Sequence, residues 1–174
     1  YRQEQIKSLN NGHTIQHEGE PGSFVYVNGH RFALEQFHVH TPSEHTVDGK
    51  QFAMELHFVH KSETGQVAVV AVLVEAVADG GLEMPPYTLP NIEGEMISYS
   101  GRRNPSDFLP KSREYFYYEG SFTTPPCTEG IKWVVMKQSL QVSPEIIARF
   151  QAILHSNNRP VQALNDRSIK QSQE

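Results

Sequence analysis

LEQFHVHTPSEHTVDGKQFAMELHFVH, residues 34–60, carries five of the nine histidines in the chain. His38 and His40 are two apart, so on a β-strand both project from one face, and Gln36 shares it. The turn residues Val47-Asp48-Gly49-Lys50 separate this run from a second one. There Glu55, His57 and Val59 share a face and His60 takes the other. Antiparallel pairing of the two runs sets His57 beside the His-x-His pair. Three imidazoles around an open position form the donor set of a catalytic zinc site. One strand histidine alone would be ordinary. Two on one face, with a third and with carboxamide and carboxylate neighbours, point to metal chemistry.

Beyond the opening, Tyr1–Leu9, the chain around this stretch reads as further strands. Tyr1–Leu9 runs into a turn at Asn10-Asn11-Gly12. Thr14–His17 and Ser23–Val27 are short strands, and Asn28-Gly29 is a hairpin turn into Arg31–Leu34. Gln66–Glu75, QVAVVAVLVE, is β-branched and continuously apolar, as a central strand covered on both faces must be. Residues 79–110 are rich in Gly, Pro, Ser and Asn and read as loops, with a strand at Met96–Tyr99. Glu114–Tyr118 and Lys132–Lys137 are further strands. One helix is clear, Ser143–Leu154. Ser143 stands at its cap, Pro144 at its first position and Glu145 at the positive dipole end, and Ile146, Ile147, Phe150, Ile153 and Leu154 form its apolar stripe. The tail, Asn157–Lys170, wraps over the body. The expectation is a single mostly β domain over 1–174, with a central twisted, mainly antiparallel sheet and a few peripheral helices.

Composition sets the bounds. At 174 residues the chain is long enough for one domain with a sizeable core. Its 37% apolar and 20% charged residues are ordinary for a globular protein. A net charge of −5 argues against a nucleic-acid partner. No apolar run approaches membrane-span length, the longest being Val67–Val74. The lone cysteine, Cys127 in PPCTEG, is either a buried inert thiol or half of a disulfide completed outside these residues.

QFHVH, SEHTVDGKQF, ELHFVH, the NNGH turn, GSFTTPPCTEG with Trp133 downstream, and the NNRPVQ tail together resemble the α-class carbonic anhydrases, in that family's order. The likeness spans the whole chain, and the compact HTPSEH link resembles the bacterial members. It implies a zinc enzyme that hydrates carbon dioxide to bicarbonate and a proton through zinc-bound hydroxide, with sulfonamide sensitivity. His38, His40 and His57 are the implied zinc ligands. Gln36, Glu55 and the backbone carbonyl of Asn157 are implied to accept their outer N–H groups, which fixes the tautomers. Thr123 and Glu44 are the implied pair that orients the nucleophile. Val59, Val69, Phe122, Thr123, Thr124, Ile131 and Trp133 are the implied substrate wall, and His13 the implied proton shuttle. By strand alternation His45 and His60 face away from the metal and are structural. His17, His30 and His155 have no assigned role.

The resemblance also carries an expectation about what precedes Tyr1. The family has a further N-terminal stretch with tryptophans and a Trp-Gly-Tyr motif, and in many bacterial members a cysteine there pairs with the counterpart of Cys127. Cys127 is thus implied to be half of a disulfide, in a periplasmic or secreted protein, or a route to a homodimer together with uncovered sheet edges. Two other readings stand beside this one. A non-catalytic or truncated module of the same fold is one. The other is a cupin, in which His38, His40 and Glu44 would all bind iron or manganese. The cupin reading turns on whether Glu44 is a ligand.

Overall fold

The computed structural model describes residues 1–79, 81–82 and 88–172. In chain order the strands are β1 (Glu4–Asn10), β2 (Ile15–Glu18), β3 (Phe24–Val27), β4 (His30–His40), β5 (Thr46–Val47), β6 (Lys50–Gln51), β7 (Met54–Lys61), β8 (Val67–Ala76), β9 (Met96–Arg103), β10 (Tyr115–Ser121), β11 (Glu129–Met136), β12 (Leu140–Val142) and β13 (Lys170–Gln171). A 3-10 turn, Pro105–Phe108, follows β9, and the helix α1, Pro144–Leu154, follows β12. The main sheet runs β13-β10-β11-β8-β7-β4-β2-β1-β9, with β12 also against β8 and β3 also against β4. All its pairings are antiparallel except those of β8 with β11 and β12. β5 and β6 form a separate small hairpin inside the histidine stretch.

The apolar run of β8 is explained by its place between β7 and β11. Val70, Val72 and Val74 pack with Phe37, Leu56 and α1 on one face, and Val69, Ala71 and Leu73 pack with Ile131, Trp133 and Val135 on the other. The helix contributes Ile146, Ile147 and Phe150 to the first of these clusters. Ser143 occupies its N-cap position, but the hydroxyl makes no cap hydrogen bond, contrary to the sequence expectation.

Three features differ from the reading of the sequence. The opening is a full strand, β1, whose inward residues include Glu4, Ser8 and Asn10. Because these are polar, no apolar alternation marks the strand. Second, the segment from Arg31 and the histidine run form one strand of 11 residues, β4, interrupted by a register shift between Leu34 and Gln36. The N–H of Gly19 donates to the Glu35 carbonyl at this bulge, 3.1 Å. The shift matters to the site. It lets Leu34, Phe37 and Val39 share the core side while Gln36, His38 and His40 share the other. Third, β9 runs to Arg103, well past Tyr99. Part of the region expected to be loop, 80 and 83–87, lies outside the described residues.

Two histidines are sealed on the core side. His17 on β2 lies against Phe37, and His60 accepts or donates at Nε2 to the Tyr1 hydroxyl, 2.8 Å. Burial pushes both imidazoles down to about 4. In the unfolded chain each takes a proton near 6.5, whereas the folded chain resists until about 4. Folding stability is therefore complete above pH 6.5 and falls as pH drops between those values. In urea titrations of metal-free protein from pH 7 to 4, His17→Phe should show a shallower loss than the parent. Equal slopes would mean that His17 does not resist protonation.

Candidate metal centre

Register places the three histidines. His38 on β4 pairs directly with His57 on β7, and His40 pairs with Glu55. The ring centroids lie 5.0 Å (His38–His40), 5.3 Å (His38–His57) and 4.6 Å (His40–His57) apart. One ring nitrogen from each lies within 4.8 Å of the other two. The outer nitrogens are all engaged: His38 Nδ1 with Gln36 Oε1 at 2.7 Å, His40 Nδ1 with the Asn157 carbonyl at 3.1 Å, and His57 Nε2 with Glu55 Oε1 at 2.8 Å. The inner set is thus His38 Nε2, His40 Nε2 and His57 Nδ1.

These three nitrogens fit a zinc ion. His40 Nε2 is buried and has no hydrogen-bond partner, an orphan that a metal would satisfy. Burial, together with the facing rings, holds His38 well below the usual histidine range and His40 at about 4. Both therefore present neutral lone pairs, which ligation requires. Three imidazoles with a fourth side open suit tetrahedral zinc in its catalytic form.

Glu55 is buried completely and accepts four hydrogen bonds. Oε1 takes His57 Nε2 and His45 Nδ1, at 2.8 and 2.5 Å, and Oε2 takes the backbone N–H groups of Glu44 and His45, at 2.9 and 2.8 Å. Burial raises its pKa, but His45 and His57 outweigh this and hold it well below the carboxylate range. His45 continues the network through Nε2 to the Tyr118 hydroxyl, 2.6 Å. The expectation that His45 faces away is corrected here. It sits on a loop, where strand alternation says nothing, and the loop folds back onto Glu55. No spacing in the sequence signals this. His60 does lie on the opposite face.

A cavity of about 1060 Å³ opens over the three rings. Val59, Val69, Phe122 and Trp133 form its apolar side, and Thr123 and Thr124 its polar lip. Ile131 is buried behind this wall, packed with Val69 and Trp133, and does not reach the cavity surface. His13 stands exposed at the rim, with its carbonyl held by Asn157 Nδ2 at 2.9 Å. Cys127 also lines the cavity as a free thiol.

Glu44 belongs to neither group of residues able to hold a metal among the described residues, which is the point on which the cupin reading turned. Its Oε1 accepts the backbone N–H of Arg159 at 2.6 Å, while Oε2 is buried without a partner. Thr123 lines the cavity but does not hydrogen-bond Glu44, which is drawn toward Arg159. No sequence pattern marks Arg159. It anchors Glu44 through its backbone and Ser121 Oγ through its guanidinium, 3.2 Å.

The sequence profile of eukaryotic-type carbonic anhydrases matches residues 1–173. The chain belongs to the α-carbonic anhydrase family. Carbonic anhydrases of Pectobacterium carotovorum and a Nostoc species are each 40% identical to it, over 92% and 97% of this chain and 67% and 65% of theirs. The chain thus spans about two thirds of the length of these curated relatives. Among solved structures, the α-carbonic anhydrase of Thermovibrio ammonificans in complex with sulfanilamide superposes with a TM-score of 0.90 at 38% identity, covering 97% of this chain and 76% of that one.

Removing His57 from this chain should cost the metal outright, whereas removing His45 should weaken its hold. Competition with a zinc-binding dye should show no retained zinc in His57→Ala. His45→Ala should show roughly 10- to 100-fold weaker affinity, as for other groups that orient ligands. Parent-like affinity in His45→Ala would mean that Glu55 needs no support from it.

Proposed function

We propose that this chain catalyses the reversible hydration of carbon dioxide, CO2 + H2O giving bicarbonate and a proton, which is the activity of its family. The observation that carries this reading is the inward trio His38 Nε2, His40 Nε2 and His57 Nδ1, each backed by its own acceptor. Zinc held there supplies a strongly acidified water, and so a nucleophile near neutral pH. Because the donors are neutral imidazoles, they leave the metal charge undiminished for that task. Val59, Val69, Phe122 and Trp133 offer an apolar surface that asks no hydrogen bond of carbon dioxide. Ile131 supports that wall from behind.

Thr123 and Glu44 are proposed to orient the nucleophile. The unpartnered Glu44 Oε2 is an acceptor within the buried site, and a Thr123 hydroxyl donating to it would have only lone pairs left for the nucleophile's proton. His13, exposed at the rim, is proposed to pass the product proton to buffer.

Sulfonamide sensitivity is proposed because a relative of the same fold is solved with sulfanilamide. A periplasmic or secreted setting is proposed for Cys127, a free thiol on the cavity wall open to a disulfide partner. Homodimer formation through Cys127 or the edge strand β9 is the associated proposal.

Stopped-flow hydration assays test the roles separately. Thr123→Ala should keep its zinc and lose roughly 10²- to 10³-fold in kcat/KM, as when other oriented polar partners are removed. Unchanged hydration would reduce Thr123 to a turn residue. His13→Ala should slow turnover in weak buffer only and recover with added imidazole. Turnover independent of buffer in that variant would assign the proton to another group.

A further inference from the structure

The sheet face opposite the metal carries a second cavity. Because side chains alternate, the strand neighbours of the ligands line it: Phe37 and Val39 flank His38, and Leu56 precedes His57. α1 covers it with Ile146 and Phe150, and the exposed Arg103 and Asp107 mark its mouth between β9 and the 3-10 turn. Its volume is about 230 Å³. Protein interiors rarely leave such space, and largely apolar cavities of this order accept small aromatic molecules.

The lining is not wholly apolar. His17 is 93% buried, since only 7% of its surface remains exposed, and its ring stacks on Phe37 at 4.6 Å. Nδ1 is engaged with Ser8 Oγ at 2.6 Å. Nε2 has no hydrogen-bond partner among the described residues, and the ring forms part of the cavity wall. A polar atom on the wall of a largely apolar space can meet a complementary group there. Ser8 Oγ has no other partner, so either tautomer of His17 is open and Nε2 either donates or accepts. A hydroxyl serves both cases.

We propose that this cavity binds a compact, uncharged aromatic alcohol, its ring between Phe37 and the α1 side chains and its hydroxyl on His17 Nε2. The site is separate from the metal cavity, being on the other face of β4 and β7. It takes its ligand with or without zinc.

The probe is 2-naphthol, titrated into the full zinc-loaded chain and followed by amide NMR shifts, with naphthalene as the analogue lacking the hydroxyl. Saturable shifts should cluster at Ile6, His17, Phe37, Phe108 and Phe150. His17→Phe should bind 2-naphthol roughly 3- to 10-fold more weakly, the loss of one hydrogen bond, and naphthalene about equally. Leu140→Trp, which fills the cavity from β12, should abolish the shifts and leave carbon dioxide hydration unchanged. Shifts confined to His13, Val59 and Thr123, or no saturable shift at all, would overturn the proposal. So would a Leu140→Trp protein that binds like the parent.

Discussion

The buried carboxylate of Glu55 is the group on which the site depends. A charge placed so far from water is costly unless every acceptor position is used. Here the two oxygens take four donors, two from imidazoles and two from the backbone of the loop carrying Glu44. One residue therefore fixes the tautomer of His57, holds His45 against Tyr118, and positions the loop from which Glu44 reaches Arg159. Each bond is an ordinary hydrogen bond to a charged group. Their concentration on one side chain turns a flexible link between two strands into a rigid floor for the metal.

The sheet makes this possible by keeping two chemistries on two faces. β7 presents Glu55, His57 and Val59 to one side and Met54, Leu56 and Phe58 to the other, and β8 is apolar on both. The bulge at Glu35 is what allows β4 to join in. With strict alternation, Leu34 would share a face with Gln36, His38 and His40. With the bulge, the core residues and the ligands part company. Gly19 receives the displaced Glu35 carbonyl, and a side chain there would come within about 3.3 Å of it.

What the sequence revealed follows from periodicity. His-x-His and Glu-x-His put ligands and their acceptors on common faces, β8 announced itself by an unbroken apolar run, and α1 by its cap, proline and stripe. Periodicity fails where an inward position is polar, as at Glu4, Ser8 and Asn10 of β1. It also fails where one extra residue shifts the register, as at Glu35. Loops have no period at all, so strand alternation misplaces His45 and nothing in the pattern marks Arg159. Ile131 belongs to the expected substrate wall, yet it is buried with Val69 and Trp133 and does not line the cavity. The family resemblance supplied Thr123, Glu44 and His13, whose roles spacing alone does not suggest.

His38 Nε2, His40 Nε2 and His57 Nδ1 form the donor set, with Glu55 behind them and Glu44 in neither group able to hold a metal among the described residues. The alternative donor set, His45, Glu55 and His57, lies next to it. A crystal of the zinc-loaded protein, with anomalous differences collected across the zinc edge, separates the two. With the three histidines as ligands, one peak lies at about 2.0–2.1 Å from each of the three named nitrogens. A peak bonded to a Glu55 or Glu44 oxygen, or to His45, would contradict it.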